Sequence, residues 1–213
     1  MKRLGFAALC ILLAAGFAGL GVWQVERRAW KHDLIAAVNA RVHAPPRALR
    51  NDAPAYTRVR LRGTFRPGSE TFVQAVTDLG PGWWVLTPLD TDSGTVLVNR
   101  GFAPERTHFR VAGPVTVTGL VRASEPGGAF LRSNDPAHDR WYSRDVAAIA
   151  NARHLGTVAP VFVDADATAN PGGLPVGGLT VIAFSDNHLI YALTWFALAG
   201  LSAFGAVMVL RRR

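Results

Sequence analysis

His188 is the side chain whose type and position most clearly suggest chemistry. It precedes Leu189–Leu210, a run without charged residues, and on a helix it shares one face with Tyr191 and Trp195 at spacings of three and seven. An ionisable residue at a bilayer edge is a functional candidate, and neutral imidazole is a common axial ligand of haem iron. The spacing equally fits an interfacial histidine flanked by two aromatic membrane anchors.

Beyond His188, the sequence lacks several common motifs of enzymes and metal sites. It has no G-x-S-x-G or H-E-x-x-H motif, and the glycine-rich segment Asn170–Gly178 lacks the spacing of a phosphate-binding loop. Cys10 is the single cysteine and Met208 the single methionine beyond Met1, which excludes a C-x-x-C pair, a thiolate zinc site and a Cys/Met copper site. We therefore expect a protein that is not an enzyme.

Several polar clusters admit two interpretations. Asn99-Arg100, Asn134-Asp135 and Arg144-Asp145 are typical of turns and local pairing. Arg58, Arg60 and Arg62 alternate with apolar residues, which predicts either a solvated strand face or a surface that faces an anion or a partner.

Two long uncharged runs, Leu4–Val25 and Leu189–Leu210, bracket the chain. Since a bilayer core needs about 20 apolar residues per helix, both runs predict transmembrane helices and exclude a purely soluble protein. The first run continues through Trp23, past a sensible cleavage site, which favours a retained anchor over a cleaved signal peptide.

The net charge of +8 comes mostly from residues that flank these two runs. The segment between them is nearly neutral, whereas a nucleic-acid-binding domain concentrates basic charge on its folded part. Nucleic acid is therefore not an expected partner, whereas the lipid bilayer is.

The basic ends predict the orientation of the chain, because short basic flanks stay in the cytoplasm. Arg27, Arg28 and Lys31 oppose this assignment, but long domains cross largely regardless of charge. The predicted layout is cytoplasmic termini 1–3 and 211–213, transmembrane helices 4–25 and 188–210, and an extracytoplasmic domain 26–187.

Small residues recur at four-residue spacing in both runs, as Ala15 with Gly19 and Ala199 with Ala203. Such pairs let helices approach closely, either each other or a partner's helices, although alanine and glycine are also simply common in membrane helices.

The middle segment is dominated by strand patterns. Its first part, His32–Arg41, predicts a short helical continuation that Ala44-Pro45-Pro46 stops. A helix capped by Ser143 and ended by Gly156 is expected near Ile149. The predicted strands are Thr57–Phe65, Glu70–Val76, Trp83–Leu89, Thr95–Arg100, Val115–Val121, Val161–Asp164 and Leu179–Phe184.

The fold class is therefore expected to be an α+β membrane protein. Two transmembrane helices would flank one mainly antiparallel β-rich domain, either an open sheet or barrel-like, with one or two helices, because short links between strands favour antiparallel pairing.

Ordered motifs along the chain resemble the surfeit locus protein 1 family. The exit of the first span, Leu20-Gly21-Val22-Trp23-Gln24 through Lys31, is similar to that family's L-G-x-W-Q-x-x-R-x-x-W-K segment. The resemblance runs collinearly from about residue 20 to 196. It continues through Gly63-Thr64-Phe65, Pro81-Gly82, Thr87-Pro88-Leu89, Val98-Asn99-Arg100-Gly101, Gly119-Leu120-Val121-Arg122, Glu125-Pro126, Asn134-Asp135-Pro136, Trp141-Tyr142-Ser143-Arg144-Asp145 and Asn187-His188-Leu189 through Phe196. Asp186 departs from the family pattern, which has an uncharged polar residue there.

The resemblance implies an assembly factor for cytochrome c oxidase that binds haem a as cargo and helps deliver it to subunit I of the oxidase. It places the iron ligand at His188. Tyr191 and Trp195 would lie beside the macrocycle, and Gln24, Arg27 and Trp30 would form an opposite wall if the two helices are neighbours. Trp23 is a further candidate for cofactor binding. Haem A synthase is a further candidate partner.

Two other functions stay open from the sequence. One is a scaffold that stabilises an oxidase assembly intermediate without handling haem, and the other is a membrane-bound enzyme acting on a quinone or lipid. The N-terminus lacks an amphipathic leader rich in Arg and Ser, which favours a bacterial plasma membrane.

Overall fold

Two long apolar helices bracket the part of the chain that the computed structural model describes, residues 2–211. They are α1, Lys2–His43, and α3, His188–Arg211, and each contains a window long and apolar enough to cross a membrane. The predicted termini extend to Met1, Arg212 and Arg213, which lie outside the described residues.

The first helix does not break after Val25. It runs through the predicted continuation His32–Arg41 as one helix of 42 residues and ends at His43. Since proline cannot continue a helix, Pro45 and Pro46 stop α1 where the sequence predicted.

The chain divides into two compact units. The first contains α1 as far as Ala37 and the chain from Ile182 through α3, and the second spans Val38–Val181.

Within the first unit, α1 and α3 pack antiparallel along a seam with alternating spacings of three and four residues. On α1 the buried and half-buried seam residues are Ala7, Cys10, Ala14, Phe17, Gly21 and Gln24. On α3 they are His188, Ala192, Trp195, Ala199, Ser202 and Ala206. This heptad pattern is that of left-handed helix packing, and small residues let membrane helices approach closely.

The seam has specific close contacts. The rings of Phe17 and Trp195 stack with centroids 5.6 Å apart. A Cβ atom added at Gly21 would lie 2.6 Å from the Phe196 ring, so a larger residue there would have to displace that ring.

The predicted small-residue pairs are mostly not part of this seam. Ala15, Gly19 and Ala203 are exposed, and only Ala199 is half-buried between the helices. The seam follows the heptad, which places residues 14, 17 and 21 inward, so packing of Ala15 and Gly19 on a partner's helices stays a prediction.

Eight strands form the second unit. Their bounds are β1 Arg58–Phe65, β2 Thr71–Thr77, β3 Gly80–Thr91, β4 Gly94–Ala103, β5 Val115–Ala123, β6 Gly128–Ala129, β7 Arg132–Ser133 and β8 Val158–Ala165.

The main sheet has the order β1-β5-β8-β4-β3-β2, and a further pairing of β1 with β3 closes five of these strands into a barrel. The long strand β3 makes this possible, since Val85 pairs with β2 whereas Leu89–Thr91 pairs with β1. All neighbours are antiparallel except β4 and β8. The expected barrel-like, mainly antiparallel domain is confirmed.

Two large apolar cores and a small cluster around Val85 stabilise this domain. One fills the barrel with alternate residues of its strands, including Val59, Leu61, Val98 and Val163. The other lies under α2, Val146–Ala152, where Ile149 packs in a cluster with Trp141, Leu97 and Phe162.

Two sequence predictions in this region were wrong. Leu179–Phe184 forms no strand, because both edges of β8 are already occupied by β4 and β5 and Val181 is exposed. The cap of α2 is Asp145, whose carboxylate accepts the Ala148 N–H at 3.0 Å, and not Ser143.

The hydroxyl of Ser143 donates to the Glu125 carbonyl at 2.7 Å instead. At the other end, α2 stops at Ala152 with Arg153 as its C-cap, three residues before the expected Gly156. Two short 3-10 helices, Pro136–His138 and Pro171–Gly173, complete the unit.

Candidate functional site

His188 is the first residue of α3 and faces α1. Its Nδ1 lies 2.7 Å from Oε1 of Gln24, which is only 9% exposed although it is a polar residue of an apolar helix. The antiparallel seam positions this pair, since both residues occupy inward positions of the heptad pattern. The two helices are neighbours at this level, which was the condition for Gln24 to lie opposite His188.

This contact determines which imidazole nitrogen remains available. An amide oxygen can only accept a hydrogen bond, so Nδ1 of His188 carries the proton and donates it to Gln24. In the neutral ring, Nε2 then has a free lone pair, which is the form in which histidine binds a metal. A carbonyl partner on the second nitrogen is the usual way of fixing a metal-binding tautomer.

The predicted aromatic residues lie at different places around this pair. Trp195 is half-buried in the seam against Phe17, two turns beyond His188. Tyr191 and Trp23 are 54% and 50% exposed, so their rings face away from the protein interior.

Arg27 is on α1 but is not part of the seam. Its guanidinium carbon lies 4.3 Å from the ring centroid of Trp30, one turn further along the helix. The structure therefore brings His188 and Gln24 together, while Tyr191, Trp23 and Arg27 lie on exposed faces.

Asp186 has basic partners in the structure. Its Oδ2 lies 2.7 Å from Nε2 of His32 and 3.7 Å from Nε of Arg28. The hydrogen bond from His32 lowers the pKa of Asp186, despite partial desolvation, so the carboxylate stays ionised. The negative charge of Asp186, which departs from the family pattern, thus lies beside basic residues of α1.

A further contact joins the same two segments. The ammonium group of Lys31 donates to the backbone carbonyl of Ser185. These contacts fix the chain that enters α3, and sequence reasoning missed them because they join residues 154 positions apart. The heptad of small residues on α1 was the signal that could have predicted the pairing.

A second polar cluster lies in the barrel domain, around the buried Asp164. One carboxylate oxygen accepts from Asn99 at 2.8 Å and from Arg144 at 3.4 Å. The other accepts from Arg122 at 2.8 Å and from Thr180 at 3.0 Å. The cluster borders a cavity of 200 Å³.

Glu125 completes this network. It accepts from Nε of Arg144 at 3.0 Å and from Nη2 of the same guanidinium at 2.6 Å. Partial burial opposes ionisation of Glu125, but these bonds outweigh it and lower its pKa. Arg144 therefore does pair within the domain, as the structural interpretation predicted, but it does so through long-range contacts.

The arginine stripe of β1 follows the predicted alternation. Arg60 and Arg62 are exposed, while Val59 and Leu61 face the barrel core. Within residues 2–211, these arginines and Arg58 form no ion pair closer than 4 Å.

Across the described residues 2–211, no group of three or more His, Cys, Asp or Glu side chains is arranged to hold a metal ion.

The chain is similar to known proteins along almost its whole length. The model of the SURF1 family matches residues 11–200. Surfeit locus protein 1 of Rattus norvegicus is 34% identical over 91% of this chain and 72% of its own length. The Homo sapiens protein of the same name is 33% identical over 91% and 74%, and a SURF1-like protein of Monosiga brevicollis is 36% identical over 92% and 83%.

The match includes most of both long apolar helices and the whole barrel domain. By this coverage and identity, the resemblance that the ordered motifs indicated is confirmed, and the chain belongs to the SURF1 family.

Proposed function

We propose that this protein is an assembly factor for a haem-copper cytochrome c oxidase that binds haem a and aids its delivery to subunit I. Membership in the SURF1 family supports the role in oxidase assembly. The pairing of His188 with Gln24 is the single observation that carries the haem-binding part.

The imidazole of His188 supports haem binding. With Nδ1 donating to Gln24 Oε1, Nε2 of His188 would be the nitrogen that binds iron, at the end of an apolar helix pair. Because a porphyrin supplies four nitrogen ligands of its own, one well-oriented histidine would be sufficient protein ligation.

The surroundings suit an apolar macrocycle. Tyr191 and Trp23 expose large aromatic surfaces on the two helices, and an apolar ring system at a membrane is attracted to such surfaces. Arg27 is the candidate for the propionate groups, because a guanidinium pairs well with carboxylates. The protein holds and transfers its cargo and, in this proposal, catalyses no reaction.

The test is the visible spectrum of the full-length protein purified from cells that make haem a. We expect haem bands with the wild type and their loss with His188→Ala. His43→Ala is the matched control, since His43 is an exposed histidine at the far end of α1 and bonds the Asn39 carbonyl. Stoichiometric haem in His188→Ala would contradict the proposed ligand.

The scaffold function remains the second candidate, since family membership supports it without any cofactor. It predicts that subunit I co-purifies with a colourless protein, and that His188→Ala leaves this association unchanged. Co-purification that depends on haem a, or on haem A synthase as its donor, would favour the first proposal.

The proposed location is a bacterial plasma membrane, with both termini in the cytoplasm and residues 26–187 in the periplasm. The two apolar helices and the basic residues near each end support this orientation. Protease added to intact spheroplasts should digest the barrel domain, and protection of that domain would reverse the assignment.

A further inference from the structure

Arg100 is a charged residue inside the β-barrel. It lies on β4 in the same alternation as Val96 and Val98, which face the barrel core, and it is 2% exposed. Arginine cannot shed its charge in a protein, so this residue brings a full positive charge into an apolar interior.

Three contacts hold the guanidinium. Nη1 donates to the Phe109 carbonyl at 2.6 Å, and Nη2 donates to Oδ1 of Asn170 at 3.3 Å. The guanidinium carbon lies 4.9 Å from the ring centroid of Phe65. These partners are neutral, and they fix the orientation of the group.

No acidic side chain of residues 2–211 contacts the guanidinium of Arg100 directly. No carboxylate of residues 2–211 forms an ion pair with Arg100, and the buried Glu70, whose field favours the charged form of Arg100, accepts a hydrogen bond from His108 instead. Burial lowers the pKa of Arg100, the direction expected for a desolvated cation. A buried charge is costly unless it is paired and hydrogen-bonded.

One edge of the guanidinium has spare hydrogen-bonding capacity. Nε of Arg100 is buried and has no hydrogen-bond partner among the described residues. The neighbouring Nη2 has only the 3.3 Å contact with Asn170. Nε and Nη2 together form the side-on edge that a carboxylate binds with two parallel hydrogen bonds.

Arg100 lines a cavity of 160 Å³ at the end of the barrel. Its walls are largely apolar and include Phe65, Val111, Val115 and Val117. A cavity of about 150 Å³ with apolar walls is large enough to bind benzene, so this one has room for a comparably small apolar group.

We propose that this cavity binds a small monocarboxylate with an apolar body, whose carboxylate is held by the Nε–Nη2 edge of Arg100. Phe65 and the valines contact the apolar part. Asp166 also lines the cavity, so a second negative charge on the ligand is disfavoured. This site is independent of His188 and of haem.

The test compares hexanoate with hexanamide, its uncharged counterpart, by calorimetric titration of the full-length protein in detergent. We expect saturable binding of one hexanoate per chain and at least about tenfold weaker binding of hexanamide, because the charged hydrogen bonds are lost. Equal binding of the two probes, or binding of neither, overturns the proposal.

Variants locate the site. Arg100→Lys keeps the positive charge but loses the paired N–H donors of Nε and Nη2. We expect it to weaken hexanoate binding at least about tenfold. Arg62→Lys, an exposed arginine of β1, should leave binding unchanged. If Arg100→Lys does not fold, Val117→Phe fills the cavity while keeping Arg100 and should abolish binding. Hexanoate affinity that is unchanged in the folded variant overturns the proposal.

Discussion

The polar centres around Asp164 and His188 are built differently. Asp164 in the barrel accepts hydrogen bonds from Asn99, Arg122, Arg144 and Thr180, so its carboxylate is fully satisfied. The half-buried imidazole of His188 has one hydrogen-bond partner within residues 2–211, which is Gln24 at Nδ1. A carboxylate whose two oxygens both have hydrogen-bond partners has a structural role. An imidazole with one nitrogen held by a hydrogen bond and the other nitrogen free is suited to bind a ligand.

The largest expected effect on stability is that of Asp164→Ala. The change leaves Arg122 and Arg144 in the interior without their shared carboxylate, and breaking a buried pair in this way costs about 3–5 kcal/mol. Chemical denaturation of the full-length protein, followed by barrel-domain circular dichroism, measures the loss.

Asp92→Ala is the control for that measurement, because Asp92 is exposed at the turn between β3 and β4. A surface change of this kind is expected to cost less than about 0.5 kcal/mol. Equal stability of the Asp164 variant and the wild type would show that the network is not structural.

Gly21→Val should separate α1 from α3. A Cβ atom at this position meets the Phe196 ring at 2.6 Å, and overpacking of this kind costs about 1–3 kcal/mol. The readout is disulfide formation between the native Cys10 and a cysteine introduced by Gly205→Cys, where an added Cβ lies 3.7 Å from Cys10 Sγ.

We expect rapid oxidation in the Gly205→Cys background and a several-fold lower crosslinked fraction when Gly21→Val is added. Gly19→Val is the matched control, since nothing lies within 4 Å of a Cβ atom there. Equal slowing by both substitutions would mean that the seam has been assigned to the wrong face of α1.

Gln24→Ala should have a smaller effect on the same crosslink. It removes one hydrogen bond at the end of the helix pair, worth about 1 kcal/mol, and His188 is exposed enough to bond water instead. A loss of crosslinking as large as that caused by Gly21→Val would contradict this ranking.

The smallest expected effect is a pH dependence of barrel stability. Because the bonds from Arg144 lower the pKa of Glu125 in the folded state, the stabilisation is present above the unfolded value of 4.5 and is lost as the pH falls through the lower folded value. In Glu125→Gln, barrel stability should fall less steeply as the pH is lowered, as measured by thermal unfolding between about pH 5 and pH 2. An equally steep fall in the variant would show that Glu125 does not contribute to the pH dependence.

Much of the fold could be predicted from local patterns. The uncharged runs gave both long helices, and alternation along β1 correctly placed Val59 and Leu61 inward and Arg60 and Arg62 outward. Strand centres were right because alternation depends on burial of one face, but Leu179–Phe184 failed because whether a strand finds a free edge depends on the topology of the whole sheet.

The candidate site was predictable only in part. His188 could be singled out by its place beside an apolar run, and Gln24 by the family motif. The bond between them, and those from α1 to Asp186, join residues more than 150 positions apart, which no local pattern encodes. Arg100 was predicted at the end of the strand Thr95–Arg100 and in a cluster with Asn99, and its charge gave no indication that its side chain would enter the barrel.

The position of β8 has a consequence for how the barrel is completed. The last strand of the domain in sequence lies between β4 and β5, so neither of these can have its final neighbour until residue 165 has emerged from the ribosome or the translocation channel. Until then, both strands present open edges, which are sites for unwanted pairing with other chains. A messenger truncated before codon 158 should therefore yield a product cleared by proteolysis rather than a smaller working domain.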